Sequence, residues 1–137
     1  LPDRLAAEGD VLWIREDAHQ PDTRWAALEG KFLVSADLKR GRLERHADAV
    51  EFLAGQVPQV SDVAFTEEDV WVGTDHGLFV FSRDRRRWSA YAVNREFVDV
   101  PVLELRAEPE GIWLRIRLEG RERAFRFDPG TGRWREG

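Results

Sequence analysis

The sequence repeats a pattern of short apolar runs, and this repetition constrains the fold more than any other feature does. Its clearest copy spans residues 60–91: two apolar runs, a Trp-Val-Gly-Thr step, an Asp-His-Gly turn, two further runs and a tryptophan. The runs are rich in β-branched and aromatic residues and are bounded by Gly, Pro and Asp, which is typical of strands. Residues 60–91 therefore predict four successive short strands.

Weaker copies of this pattern precede and follow the middle one. Aligning them on a tryptophan of the second strand, at Trp13, Trp71 and Trp113, places the third and fourth strands seven residues apart in every copy. The anchor pairs for this spacing are Ala36 and Leu43, Phe81 and Trp88, and Phe127 and Trp134. From the tryptophan to the third strand, however, the spacings are 23, 10 and 14 residues. The alignment therefore predicts a first strand at residues 5–7 and a long inserted loop at residues 17–30.

Repeats of about 40 residues that each contain four short strands are the sequence signature of β-propeller blades. The sequence predicts an all-β, propeller-like array of three four-stranded antiparallel blades in a single unit. The predicted blades span about residues 1–48, 60–93 and 100–137, with linkers at 49–59 and 94–99. Closed propellers have about 4–8 blades, so three blades are incomplete as one chain. Other blades, from a second copy or a longer parent chain, are the expected partners, unless the array stays open.

Residues 56–65 and 69–78 carry the most specific motif of the chain, and residues 127–134 carry a related one. The first two stretches resemble the propeller repeat of two-component regulators, and the last resembles the end of that repeat. The likeness is partial in the third copy, where Arg115 replaces the glycine of the Trp-Val-Gly-Thr step. It is weak in the first copy, where Arg15 replaces this glycine. The resemblance implies a sensor-type binding domain with an extracytoplasmic location.

Composition excludes several functional classes. Cysteine is absent, so disulfides, thiol nucleophiles and Cys-ligated zinc are excluded. The net charge of −5, with no basic tail, argues against nucleic-acid binding. No apolar run approaches the ~18 residues of a membrane span. The three histidines, His19, His46 and His76, lack metal-ligand spacing, so we expect no metal, cofactor or catalytic residue.

The alternation of side chains along the strands differs between the copies. In the middle copy both faces are apolar, which predicts burial on both sides. The first copy is also apolar on both faces, so a neighbouring blade, a second copy or the inserted loop is expected to cover it. In the third copy one face is apolar and the other is charged. The charged set is Glu104, Arg106, Arg115, Arg117 and Glu119. It fits either a solvated face or a salt-bridged interface with another chain.

Loops between second and third strands supply the candidate ligand contacts, because the resemblance implies that propeller ligands bind where these loops gather. The candidates are Trp25, Arg24, His19, Asp75, His76 and Arg121. Trp25 has no counterpart in this alignment, and beside Arg24 it could stack on a sugar, a peptide or a partner's side chain. The alternative is that Trp25 packs against Trp13.

Two functional classes fit these features. The first is a non-enzymatic binding or assembly module that presents propeller loops to a partner protein or small ligand. The second is a metal-dependent enzyme resembling streptogramin lyases, for which His76, Asp75 and Glu119 are the only combination available. A third possibility is an inactive fragment of a larger propeller protein.

Overall fold

Twelve strands form three four-stranded antiparallel sheets, each in chain order, in a computed structural model that describes residues 2–50, 57–91 and 100–137. The all-β prediction is therefore confirmed. The predicted linker at 94–99, and residues 51–56 of the linker at 49–59, lie outside the described residues. The helix and strand bounds within these ranges are as follows.

The first sheet contains β1 (Val11–Asp17), β2 (Gln20–Leu28), β3 (Phe32–Asp37) and β4 (Arg42–Arg45). It is preceded by α1 (Pro2–Glu8) and followed by a 3₁₀ helix (His46–Ala49). The second sheet contains β5 (Val60–Phe65), β6 (Asp69–Thr74), β7 (Gly77–Ser82) and β8 (Arg87–Tyr91). The third contains β9 (Val102–Glu108), β10 (Gly111–Leu118), β11 (Arg121–Asp128) and β12 (Arg133–Glu136). Residues 1–60 form one compact unit and residues 61–137 form another.

The constant seven-residue spacing corresponds to the register of the sheets. Ala36 pairs with Leu43, Phe81 with Trp88, and Phe127 with Trp134. A hairpin of fixed length sets which residues lie opposite each other, so equal spacing in the sequence becomes equal pairing in the structure. The predicted third and fourth strands are confirmed in all three copies.

The predicted alignment of the first copy is wrong. Residues 5–7 lie in α1, and most of the predicted loop at 17–30 is β2. Trp25 pairs with Ser35 of the third strand, as Trp71 pairs with Val80 and Trp113 with Arg126. Trp25, not Trp13, is therefore the counterpart of Trp71 and Trp113. With Trp25 as the anchor the spacings to Ala36, Phe81 and Phe127 are 11, 10 and 14 residues, and the long insertion disappears.

Helix α1 covers the centre of one face of the first sheet. Leu5 is buried against Ala26, Leu28 and Val34. The helix is also held by its last residue, since the Glu8 carboxylate pairs with Arg45 and its backbone carbonyl accepts from Lys31 Nζ at 2.9 Å. A helix, and not an inserted loop, thus covers the centre of this face. On the edge strand β1, Leu12 and Ile14 remain 49% and 46% exposed.

The second unit buries its core between the second and third sheets. Trp71 and Val80 pack there with Leu105, Leu114 and other apolar residues of the third sheet. Both faces of the second sheet are buried, as predicted, since Val70 and Val72 on the alternate face are also inaccessible.

Two features of the repeat motif join these sheets. The Asp62 carboxylate accepts the backbone N–H of Leu105 at 2.8 Å, so β5 is linked to β9. Gly73 lies directly against β9, and a Cβ atom at this position would be 2.6 Å from Cγ1 of Val102. Real side chains do not approach so closely, so the glycine of the Trp-Val-Gly-Thr step permits the sheets to meet.

Candidate functional site

The third sheet has two unlike faces. Ile112, Leu114 and Ile116 point into the core of the second unit and are fully buried. The opposite face is defined by the strand register, and we call it the arginine face. It comprises Arg106, Arg115, Arg117, Arg126, Arg133, Arg135, Glu104, Glu108, Glu122, Asp128, Trp113 and Ala124. Of the predicted charged set, Glu119 lies instead in the turn between β10 and β11.

One row of this face crosses all four strands. Arg106 on β9 lies opposite Trp113 on β10, Trp113 lies opposite Arg126 on β11, and Arg126 lies opposite Arg135 on β12. The Arg106 guanidinium is 4.5 Å from the centroid of the Trp113 ring, which is a cation–π contact. Neighbouring strands are about 4.8 Å apart, so the row presents one aromatic ring and three guanidinium groups within a short distance.

Ion pairs hold most of these arginines in place. Glu104 lies 2.8 Å from Arg106 and 3.3 Å from Arg115. Arg115 also pairs with Glu122, which lies 4.0 Å from Arg117. On the next strand Arg126 Nε donates to Glu108 at 3.0 Å. The hydrogen bond from Arg106, and then the contact with Arg115, lower the pKa of Glu104 against the opposing effect of desolvation.

The lowered pKa of Glu104 leads to a pH prediction. Because the folded-state pKa is below the unfolded value, the contact stabilises the fold above the unfolded pKa and is lost as the pH falls through the folded pKa. We expect the side-chain carboxyl carbon of Glu104, followed by NMR, to titrate below the usual range of glutamate. The substitution Arg106→Gln should move this pKa upward.

Glu136 provides a matched control for this titration. Its pKa is also lowered, by a hydrogen bond from Arg123 on the opposite face of the same sheet. Arg106→Gln should leave the titration of Glu136 unchanged. Identical titrations of Glu104 in both proteins would show that Arg106 does not contact it in solution.

The arginine face is positively charged within an acidic chain. Its six arginines and four acidic residues leave an excess of two positive charges, whereas the whole chain carries −5. Arg126 and Arg135 lie directly opposite each other, and like charges in such cross-strand pairs are destabilising. Within the described part of the chain neither Arg133 nor Arg135 makes an ion pair. The face therefore retains unneutralised positive charge.

Comparison with known proteins shows what kind of sheets these are. No family model matches the chain, and no curated protein does either. Among solved structures, the chain is similar to the extracellular domain of a hybrid two-component system, BT4673 of B. thetaiotaomicron (TM-score 0.68, 20% identity, 93% of this chain and 16% of that chain). An auxiliary nutrient binding protein of Bacteroides thetaiotaomicron (TM-score 0.66, 11% identity, 93% and 30%) and Saccharomyces cerevisiae Sqt1 (TM-score 0.69, 11% identity, 98% and 37%) are also similar.

The three sheets are β-propeller blades. The likeness covers nearly the whole of this chain but only 16% of the BT4673 domain. At these identities it is a likeness of fold.

Comparing the second and third blades explains the position of the arginine face. In the second blade, the face that bears Trp71 packs onto the third blade. The register gives the equivalent positions: Gly73 corresponds to Arg115, Leu78 to Ala124, Val80 to Arg126, and Ser89 to Arg135. The arginine face of the third blade is thus equivalent to the face with which the second blade packs on the third. Arg115 takes the place of Gly73, and Arg126 takes the place of Val80.

The predicted contacts of the first blade differ in accessibility: His19 is exposed, Arg24 is half-buried and Trp25 is buried. His19 lies in the turn between β1 and β2, where its N–H donates to Asp17 Oδ1 at 3.0 Å. Arg24 lies on β2, donates to the carbonyl of Pro21 at 2.6 Å, and is 3.8 Å from Glu16. Trp25 is only 3% exposed. It therefore lies in the core and not in a loop, because β2 places it at the buried position of the repeat.

Trp25 belongs to a buried polar cluster that was not predicted. Its Nε1 donates to the carboxylate of buried Asp17 at 3.3 Å, and its ring stacks on His46 with centroids 4.7 Å apart. His46 Nε2 is 2.7 Å from the Ser35 hydroxyl. These residues come from β1, β2, β3 and the 3₁₀ helix. No local motif links them, so the sequence contained no signal for the cluster.

The predicted contacts of the other two blades lie at the same end of the second unit. Asp75 and His76 form the exposed turn after β6, and Arg121 follows the exposed turn after β10. The two turns share an end because Gly73 packs on Val102, and Val102 pairs with Ile116 near the end of β10.

Among the described residues, no group of three histidine or acidic side chains is arranged to hold a metal ion. No helix in the described ranges is long and apolar enough to cross a membrane.

Proposed function

We propose that this chain is a non-enzymatic binding module that contacts a partner through the arginine face of its third blade. The observation that carries the proposal is the substitution of a blade-packing surface by an exposed, ion-paired set of arginines around Trp113. The similar BT4673 structure is an extracellular domain of a two-component system, and another similar structure is a nutrient binding protein. Both likenesses support a binding role.

The geometry of this face suits a binding surface. Tryptophan and arginine are the residues that most often contribute strongly to protein interfaces. Arg106, Arg115 and Arg126 are already held by glutamates. Less side-chain entropy is therefore lost on binding than with unrestrained arginines.

The exposed turns at one end of the second unit form a second proposed contact region. Asp75, His76 and Arg121 offer a carboxylate, an imidazole and a guanidinium group, which together suit a polar partner. His19 and Arg24 remain proposed contacts of the first blade. The partner is another protein chain, a further part of a longer parent chain, or a small ligand.

Fluorine NMR tests whether the arginine face binds a partner. The six tryptophans are labelled with 5-fluorotryptophan, and Trp113→Phe assigns the signal of Trp113. Short acidic, basic and neutral peptides, and neutral and acidic oligosaccharides, are then titrated. We expect the Trp113 signal to shift saturably with at least one class, while the signal of buried Trp25 stays fixed. The proposal is contradicted if no class moves Trp113, or if all tryptophan signals move together.

A further inference from the structure

We infer that the partner of the arginine face is an acidic polypeptide segment and not another propeller blade. This inference rests on the proposed function and specifies the chemistry of the partner. Three features of the face carry it: the bulk of Arg115, the charge balance, and the position of Arg135.

The contact between the second and third blades shows what a packed blade requires. At Gly73 even one added carbon would be 2.6 Å from Val102, so this contact depends on the absence of a side chain. The equivalent residue on the third blade is Arg115, which is also fixed by Glu104 and Glu122. A further blade packed in the same way would collide with Arg115. It would also bury the guanidinium of Arg126 where the second blade has Val80, and burying such charges is costly.

The charge distribution favours an acidic partner. The face carries a formal charge of +2 and the whole chain −5, so the rest of the chain carries −7. The rest of the chain therefore repels an acidic segment on balance, whereas this face attracts it. Such complementarity speeds association and fixes the orientation of the partner.

The row of Arg106, Trp113, Arg126 and Arg135 indicates where a carboxylate would lie. Arg126 is neutralised by Glu108 at 3.0 Å, but Arg135 directly opposite makes no ion pair among the described residues. A carboxylate bound by the planar fork of Arg135 would relieve the repulsion between these two arginines. The pairs that Glu104 and Glu108 make on the same face show that this surface accommodates glutamate side chains.

A nucleic acid fits the face less well than a polypeptide does. Duplex DNA carries one charge per ~1.7 Å, so its phosphates would also meet the four acidic residues interspersed among the arginines. A polypeptide can space its carboxylates to match Arg135 and place an apolar side chain on the partly exposed ring of Trp113.

The test measures the affinity of a fluorescently labelled oligoglutamate peptide by anisotropy. Oligoglutamine and a single-stranded DNA of similar length are the comparison probes. Arg135→Glu is expected to weaken oligoglutamate binding about tenfold or more, because an attraction becomes a repulsion. Arg85→Glu makes the same change of charge in an exposed turn of the second blade and should alter the affinity less than about twofold. Added salt should weaken binding to the unmodified protein.

Three results would overturn the inference: tighter binding of DNA than of oligoglutamate, equal binding of oligoglutamine, or equal losses in Arg135→Glu and Arg85→Glu. If Arg135→Glu lowers the melting temperature, Arg135→Gln provides the same comparison without a new charge. A Trp113 fluorine signal that responds only to neutral probes would refute the acidic partner and leave the proposed function standing. A signal that responds to no probe would refute both.

Discussion

Gly73→Val is expected to destabilise the second unit by about 3 kcal/mol, since overpacking a tightly packed contact usually costs about 1–3 kcal/mol and valine adds three carbons. The first of these carbons would lie 2.6 Å from Cγ1 of Val102 and 3.0 Å from its Cβ. Neither strand can withdraw freely, because Asp62 holds Leu105 of β9 through a buried hydrogen bond. Urea denaturation measures the loss of stability, and amide hydrogen exchange in residues 61–91 shows where it occurs.

A double-mutant cycle isolates the contact responsible. Val102→Ala removes Cγ1, the atom nearest to the new side chain, and will itself be destabilising, because it opens a cavity in the core. If the contact with Val102 causes the loss, the double variant Gly73→Val/Val102→Ala will be more stable than the sum of the single effects predicts. Additive effects would show instead that β6 cannot accept a side chain for a reason unrelated to β9.

This contact explains why the middle copy of the repeat carries the clearest motif. Its glycine is required by a neighbouring sheet, and its alternating apolar residues are buried on both faces. In the third blade Arg115 occupies the position equivalent to this glycine, and the same face is exposed. The departure from the motif at Arg115, visible in the sequence, therefore marks the surface that we propose for binding.

Local spacing predicted the fold well where pairing is local. The seven residues between third and fourth strands fix a hairpin, so the register followed from the sequence. The start of the first blade could not be predicted in the same way. Trp13 and Trp25 both occur near apolar residues, and only the pairing of Trp25 with Ser35 distinguishes them. The helical structure of residues 5–7 could not be predicted locally, because Leu5 packs from α1 against Ala26, Leu28 and Val34, which are distant in the sequence.

The arginine face was predicted in part. Alternation along β9 and β10 identified Glu104, Arg106, Arg115 and Arg117, because side chains on one strand alternate between faces. The row that includes Arg126 and Arg135 was missed, since it depends on the register of β11 and β12 against β10. The signal was present in the sequence: Arg126 lies between Phe125 and Phe127, and Arg135 follows Trp134.

Trp25→Ala is expected to destabilise the first unit by about 3–5 kcal/mol, the usual cost of deleting a buried aromatic side chain. The substitution removes the ring that stacks on His46 and the N–H that donates to Asp17. It also leaves the buried Asp17 carboxylate with one donor fewer, which adds to the cost. Hydrogen exchange of amides in β2 and β3 measures the loss, and the affinity of the arginine face for its ligand should not change while the second unit remains folded.

Two further substitutions separate the contributions of the ring and the N–H of Trp25. Trp25→Phe keeps an aromatic ring beside His46 but removes the donor to Asp17, so a smaller loss of about 1–3 kcal/mol is expected. Trp13→Phe is the control, since Trp13 lies on the edge strand, partly exposed beneath the guanidinium of Arg15. Its replacement should cost less than either change at Trp25. If Trp13→Phe were the more damaging substitution, Trp13 and not Trp25 would be the structural tryptophan of the first blade, and the original alignment of the repeat would be correct.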